Sequence, residues 1–495
     1  VALVACAALL TAASGSASGA PAGGAGAGTS PPGTPDGVHV QHSAGAATLV
    51  DRAGQQMILR GVDDNALVQY PSDYREAPPV SSQDFREMAA LGFNFLRLPV
   101  SWSAIMPHPG VLDRAYLERI TQVVGWARRA GMGVLVDMHQ DNFSTVTDPT
   151  QESDGAPRWA VLTGGAPCTP DLTTTHCALA AFANFWADAS VHGRPLQQWY
   201  LEALVAAAKA GGGSHADDNT VGVEIMNEPW PAGPSPFEQR SLYPFYERMI
   251  TGLRRAGIVV PIWFEPSILR DVTNDALPQA ARFSTDQDLV YEVHIYSGVF
   301  SPPYGPVASQ SSLASSYANA AAEAKVFGTP FDVGEYGSNA TPAWNSWLEA
   351  QLSLQNQYRV GSGFWLWKQR VGRWYNWSVV QLDGALRSGT LRAQLLSEPH
   401  VDAVPGTLIA TSSSASRLTA TVQGPGGTAV LWGGTVVARG GPGGTPSTLR
   451  RVTVDGRAVA ARCTTTSFTT TAVSLRGCLV TVHLRAGRHV VAVTP

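Results

Sequence analysis

The chain has 495 residues, 44% hydrophobic and 15% charged, with 50 glycines and 34 prolines. That composition is globular, and the length suits more than one domain. A net charge of -4 with a pI near 6.3 leaves no chain-wide basic footprint, and no internal stretch approaches the roughly 18 unbroken apolar residues of a membrane span, so nucleic-acid binding and a multi-span membrane fold are poor readings.

Residues 1–20 read as an export signal, apolar at first and then rich in small residues. A second reading stays open, in which Leu3-Val4-Ala5-Cys6 is a lipoprotein cleavage box and Cys6 a lipid anchor; the apolar run continuing through Leu10 speaks for ordinary secretion. Residues 21–37, dominated by Gly, Ala, Ser and Pro, read as a flexible linker. The remaining cysteines form two close pairs, Cys168 with Cys177 and Cys463 with Cys478. An exported, oxidising setting makes each pair a local disulfide, and neither has the spacing of a zinc site.

From 50 to 400 short β-branched runs alternate with amphipathic helical stretches. One unit reads in full: Asp113 is an N-cap, Leu117, Ile120, Val124 and Ala127 recur at helical period, Gly131 stops the helix, and the apolar run 133–136 follows as a buried strand. Comparable runs lie at 58–62, 95–100, 221–226, 262–264, 289–295, 331–333 and 363–367. Eight strand-then-polar units predict an α/β fold, a (β/α)8 TIM barrel at 38–400 with its site at the strand C-termini. No Gly-rich phosphate turn follows the first strand, which disfavours a doubly wound sheet. The connection 142–220 is far longer than an ordinary βα loop and reads either as a wall of the cleft or as a packed surface excursion. Past 405 the texture turns to Thr, Val, Gly and Ser with period-2 stretches, so 406–495 reads as a small C-terminal antiparallel β-sandwich, with nine arginines against one acid, Asp455.

Two carboxylates end strands: Glu228 in Ile225-Met226-Asn227-Glu228-Pro229-Trp230 and Glu335 in Asp332-Val333-Gly334-Glu335-Tyr336-Gly337. Their positions after the fourth and seventh runs predict that they face each other across a barrel mouth, and such a carboxylate pair is the machinery of glycoside hydrolysis. Arg97, His139, His294 with Tyr296, and Trp365 with Trp367 stand at other strand ends. An ionised glutamate needs donors such as Arg and Tyr, a general acid needs a drier setting, and an indole offers a flat face to a sugar ring. Glu224 and Glu265 also sit near strand ends and read as structural partners of an arginine. His108, His176, His192 and His215 read as solvated, and Trp126, Trp186 and Trp199 as core.

These motifs, with Asp137-Met138-His139-Gln140-Asp141-Asn142-Phe143-Ser144, resemble glycoside hydrolase family 5 over roughly 50–400, and within it the endoglycoceramidase branch. The resemblance implies Glu228 as acid/base and Glu335 as nucleophile. It implies Asn227 on the sugar 2-hydroxyl, Arg97 and Tyr296 supporting Glu335, and His139, Asp141, His294 and Trp365 lining the sugar subsite. Where that branch carries a lysine after the first strand, this chain has Asn65-Ala66-Leu67-Val68-Gln69-Tyr70, which leaves the headgroup open.

The expected protein is a secreted retaining endo-β-glycosidase acting on a glycosphingolipid, with no cofactor and no metal. Another family 5 activity on a β-glucan or apolar β-glucoside, and a non-catalytic carbohydrate- or membrane-binding protein, are the rivals. A retaining pair should hold its carboxyl groups about 5–5.5 Å apart. A lipid substrate also calls for an apolar landing surface at a membrane or micelle, for which Leu67, Val68, Phe143, Trp230, Val299 and Phe300 are candidates; the C-terminal arginines would add attraction to anionic lipid. Oligomeric state stays open.

Overall fold

A computed structural model describes residues 33–43, 45–68, 79–148, 154–169, 175–216, 218–273, 275–278, 280–300, 302–369, 376–387, 390–437, 451–470 and 473–494. The expected export signal, Cys6, most of the linker and Gln69-Tyr70 lie outside these residues. The last expected linker residues, 33–37, are pinned against the fold, with Gly37 N–H donating to Asp218 O at 3.1 Å.

All eight expected strands form, and they close into a parallel barrel in sequence order. They are β1 Arg60–Asp63, β2 Phe95–Ser101, β3 Gly133–His139, β4 Thr220–Glu224, β5 Ile262–Phe264, β6 Leu289–His294, β7 Phe331–Tyr336 and β8 Ser362–Phe364. The helix between β2 and β3, Arg114–Arg129, starts as expected: the Asp113 carboxylate accepts the Tyr116 N–H, satisfying one of the donors that a helix start leaves unpaired. Ile120, Val123, Val124 and Ala127 form its buried face, and Gly131, at φ 78°, turns the chain out.

Several strands run past their expected ends. The apolar run of β3 stops at Val136, yet pairing continues to Ser101 opposite His139, and Glu335 lies inside β7. Polarity ends the apolar pattern but not the ladder, because these side chains turn into a buried polar layer where each finds a partner.

The long connection after β3 is a packed excursion. Its helix His176–Trp186, the short ribbon Ser190–Val191 with Arg194–Pro195, and helix Leu196–Ala210 enclose edge-to-face rings of Trp102, Trp159, Phe185, Trp199 and Tyr200. Cys168 and Cys177 are bonded, as are Cys463 and Cys478.

The sandwich differs from expectation in one respect: it draws on both ends of the chain. Its larger sheet lines up His39–Ser43, Ala46–Val50 and Gln55–Met57 with His400–Pro405, Gly427–Val437, Ser474–Leu484 and Arg462–Thr469. A five-stranded sheet built from Thr407–Ser414, Arg417–Gly424, Gly487–Thr494, Arg451–Val454 and Arg457–Ala458 covers it. Ile58 joins Val401, Leu418, Leu431, Val480 and Val493 in the apolar core between them. The pairing of Met57 with Ala403 links segments almost 350 residues apart, with no local signature to announce it.

The sandwich meets the barrel near the strand starts, where Asn94 Nδ2 donates to Asp402 Oδ1 at 3.3 Å and Trp432 Nε1 to Ser397 O at 3.0 Å. Its exposed arginines, Arg417, Arg451, Arg457, Arg462, Arg485 and Arg488, therefore belong to a unit attached away from the face that carries Glu228 and Glu335. Among the described residues no helix is long and apolar enough to cross a membrane.

Candidate active site

Arg97 projects from β2 into the barrel and is completely buried. Six carboxylates surround it. Its Nε and Nη2 grip Glu224 of β4 at 2.7 and 2.8 Å, Nη1 donates to Glu335 Oε1 at 2.7 Å, and Asp63, Asp137, Glu265 and Glu292 lie 3.0–3.6 Å away. A buried guanidinium is stable only with such partners, and its planar fork matches a carboxylate two bonds at a time. The layer leaves little room: a Cβ on Gly334 would stand 1.7 Å from Glu292 Oε1, so the residue before Glu335 has to be glycine.

Glu335 accepts from Arg97 through Oε1 and from the Tyr296 hydroxyl through Oε2 at 2.8 Å. Glu228 has a different setting. Its Oε1 lies 2.8 Å from His294 Nδ1, and its backbone N–H donates to Glu265 Oε1 at 3.2 Å. One oxygen of each glutamate and a ring nitrogen of His294 all lie within 4.8 Å of one another, close to the spacing expected of a retaining pair and short of the 6.5–9.5 Å of an inverting one. The side chain of Glu228 is 19% exposed and that of Glu335 7%, so Glu228 is the more open of the two.

Burial pushes Glu228 up to about 8, with Asp141 adding to the rise. It also raises Glu335, but His294 and Arg97 oppose the shift. Glu335 is thus the glutamate held by a cationic and a hydroxyl donor, a setting that favours a carboxylate. Burial lowers His294 to about 4, leaving its imidazole neutral at neutral pH. At His139 burial disfavours the charged ring, yet Asp137 and Asp141 outweigh it and hold the pKa well above the usual histidine range.

All nine residues singled out from the sequence meet here. Asn227 Oδ1 accepts from Arg97 Nη2 at 2.8 Å. His139 bonds Asp137 at 2.7 Å and faces Asp141 at 3.3 Å, and its ring stacks on half-buried Trp365 with centroids 5.5 Å apart. Trp367 does not join them: it is buried, and its Nε1 donates to Asp84 at 3.0 Å. The four histidines read as solvated are exposed, His176 at the first position of a helix, and Trp186 and Trp199 are core, as expected.

Three non-glycine residues beside the site adopt the left-handed region: Asn142 at φ 50°, Phe143 at 72° and Glu228 at 40°. Such conformations cost of order 1–3 kcal/mol each and persist where the surroundings over-determine them. Gln140 is one such brace. Its Nε2 donates to the carbonyls of Asn227 and Glu228 at 2.8 and 3.0 Å, and its Oε1 accepts the Phe143 N–H at 2.9 Å. Sequence reasoning assigned no role to Gln140, Asp137, Asp63 or Glu292 and took Glu265 as structural. A usable signal existed for two of them: Asp137 is two residues from His139 and Glu292 two from His294, so each shares its neighbour's face of the strand.

The landing-surface candidates divide. Leu67, Val68 and Phe143 are buried, because Leu67 bridges to Val100 of β2 and Phe143 packs on Phe182 and Phe185; they offer nothing to a lipid. Trp230 and Val299 are half-buried. Phe300 is exposed, as are Tyr304 and Val307 further along the same loop after β6. The Phe300 ring packs 5.0 Å from that of Tyr296, so this apolar edge adjoins the site.

A closed parallel barrel presenting two opposed glutamates at its strand ends, one held by Arg and Tyr and the other by His, is the framework of a glycoside hydrolase. The sequence model of the cellulase family, glycosyl hydrolase family 5, matches residues 50–371, and the chain belongs to that family. Among curated proteins it is similar to Endoglycoceramidase I of Rhodococcus hoagii (strain 103S), 28% identical over 261 residues covering 50% of this chain and 51% of the relative. It is also similar to an endoglycoceramidase of Cyanea nozakii, 25% identical over 259 residues covering 44% and 49%. The chain spans about half the length of these curated relatives. Endo-glycoceramidase II from Rhodococcus sp., solved as a lactosyl-enzyme intermediate, aligns at TM-score 0.69 and 25% identity over 90% of this chain and 99% of that one. A crystal structure of endogalactoceramidase shares the fold at TM-score 0.71 and 24% identity, covering 92% and 100%.

Proposed function

We propose that the protein is a secreted, retaining endo-β-glycosidase that cleaves the bond between an oligosaccharide and the ceramide of a glycosphingolipid. The observation that carries the reading is the contrast between Glu228 and Glu335 across less than 4.8 Å. Glu335, the ionised member, attacks the anomeric carbon as the glycosidic C–O bond breaks. Glu228, raised to about 8, is protonated at neutral pH and gives its proton to the departing ceramide oxygen. Water then enters on the vacated side, Glu228 takes its proton, and the oxygen displaces Glu335 from the sugar, so two inversions restore the starting configuration.

The remaining residues fall into supporting roles. Arg97 and Tyr296 keep Glu335 ionised and aimed, Asn227 binds the sugar 2-hydroxyl, and Trp365, braced by His139, offers a platform to the ring, with Asp141 and His294 completing the sugar subsite. The lipid side rests on the similarity to endoglycoceramidases and on the exposed Phe300, Tyr304 and Val307 beside Tyr296, a surface suited to an apolar aglycone or to a micelle or membrane. Export fits the two disulfides. Mass spectrometry after incubation with a 2-deoxy-2-fluoro glycoside that carries a good leaving group tests the mechanism. A glycosyl adduct on Glu335 supports it, whereas an adduct on Glu228 reverses the roles and the absence of any adduct under turnover conditions contradicts a retaining reaction.

A further inference from the structure

Gln140, just past β3, is 7% exposed, and its carboxamide joins two strained stretches of chain. Nε2 donates to the Asn227 carbonyl at 2.8 Å and to the Glu228 carbonyl at 3.0 Å, while Oε1 accepts the Phe143 N–H at 2.9 Å. Asn227 answers through Nδ2, which donates to the Gln140 carbonyl at 3.0 Å, and its backbone N–H donates to Met138 O at 3.2 Å. The chain leaving β3 and the chain leaving β4 are thus clasped in both directions. Gly155 shows how closely Gln140 is seated: a Cβ there would stand 2.6 Å from Gln140 Cβ and 2.7 Å from Phe143 O. Glu228 is the residue with most need of the clasp. A residue before proline is pushed toward extended backbone, yet Glu228, which precedes Pro229, sits at φ 40°.

We propose that Gln140 is a positioning residue for the acid/base: its amide group locks Glu228 in the one backbone conformation that aims the carboxyl into the cleft. The two carbonyls it holds belong to the peptide planes before and after the Glu228 Cα, and φ and ψ describe how those planes are turned about that atom. One NH2 group gripping both oxygens therefore fixes both dihedrals, and with them the direction of the Cα–Cβ bond. In the observed conformation that bond brings Glu228 Oε1 within 2.8 Å of His294 Nδ1 and one Glu228 oxygen within 4.8 Å of an oxygen of Glu335. Relaxed toward extended backbone, the side chain would leave the Cα at another angle and its carboxyl would lose its line on the leaving oxygen. The task needs two hydrogens and an acceptor together, which a carboxamide has. A carboxylate at position 140 would still accept the Phe143 N–H but would turn lone pairs toward both carbonyls.

The inference rests on the reading of Glu228 as acid/base, and its test is kcat/KM of Gln140→Glu, in the full chain, over aryl β-glycosides of graded leaving-group acidity. Sites are first counted with a 2-deoxy-2-fluoro glycoside carrying a dinitrophenyl group, whose trapping needs the nucleophile but no proton, so that only folded molecules enter the rate. A displaced acid should cost roughly 10- to 100-fold on the poorest leaving group and less than about threefold on dinitrophenyl. In a Glu228→Ala background the same substitution should lower neither rate further, since no carboxyl is left to aim. An equal loss across the series would make Gln140 general scaffolding, and an undiminished rate on the poorest leaving group would leave it without a role; either overturns the proposal. If Gln140→Glu fails to fold, Gly155→Ala, which presses a methyl group against Gln140, must show the same dependence on the leaving group, and a uniform loss there contradicts the proposal. A wild-type protein that neither traps the fluoro glycoside nor turns over would instead remove the functional reading. The Glu228 φ in a crystal structure of Gln140→Glu would then decide the clasp alone: a value still near that of the wild type contradicts it, and a relaxed one supports it.

Discussion

Arg97 Nη1 stands 2.7 Å from Glu335 Oε1, and the same guanidinium holds Glu224 through its other nitrogens. The group that holds Glu335 is therefore also the only arginine of the buried acidic layer among the described residues. Removing it leaves several carboxyls buried without their cation, a change that typically costs about 3–5 kcal/mol. Arg97→Met should lower the unfolding free energy by that order, read by denaturant titration. A variant of wild-type stability would show that the layer is held together by protonated carboxyls without its cation.

The two glutamates should fail in different ways. Glu335→Gly should abolish hydrolysis yet use a glycosyl fluoride of inverted configuration for synthesis. Glu228→Ala should lose about 10²–10⁴-fold on substrates with poor leaving groups and much less on activated aryl glycosides, which need little protonation. On the reading of Glu228 as the acid, which acts only when protonated, wild-type kcat/KM should decline as pH rises through about 8, and that limb should vanish in Glu228→Ala. Steady-state kinetics on paired substrates decide this.

Asp332, at the start of β7, gives a stability prediction. Burial raises it to about 7, while its Oδ1 accepts the Gly361 N–H at 2.8 Å. A carboxyl raised in the folded state favours folding while it is protonated. That contribution is complete below the unfolded value near 4 and is lost as pH rises through the folded value near 7. Asp332→Asn keeps the acceptor and removes the titration, so the fall in Tm between pH 5 and pH 8 should shrink relative to wild type. An unchanged fall would assign the pH dependence to other buried groups.

Each disulfide closes a short loop, with sequence separations of 9 and 15. In the loop-entropy model either is worth about 2–3 kcal/mol. Replacing both members of one pair by serine should lower stability by that order, and an unreduced digest should yield only the Cys168–Cys177 and Cys463–Cys478 bridged peptides.

Much of the barrel is legible because its signals are local: a short apolar run, a polar residue at its end, and, before the helix that follows β2, the cap Asp113. The site is legible where a residue type is conspicuous at a strand end, as with Glu228, Glu335 and Arg97. The supporting layer is less so. Glu265 and Glu224 read as ordinary ion-pair partners until the closed barrel brings them onto Arg97, more than 100 residues away. The sheet joining 39–57 to 400–405 is invisible for the same reason. Leu67, Val68 and Phe143 were assigned to a lipid-facing surface because an apolar residue past a strand end looks alike whether it turns outward or folds back onto the barrel. Only the tertiary path separates them from Phe300.

The central claim is that the scissile bond joins a glycan to a lipid. The most direct measurement is the ratio of kcat/KM for a lactosylceramide-type substrate in detergent to that for cellopentaose, with products resolved by mass spectrometry. The account predicts release of an intact disaccharide from the lipid at a rate far above cleavage of cellopentaose. Equal or faster cleavage of cellopentaose would contradict it and leave a family 5 glucanase.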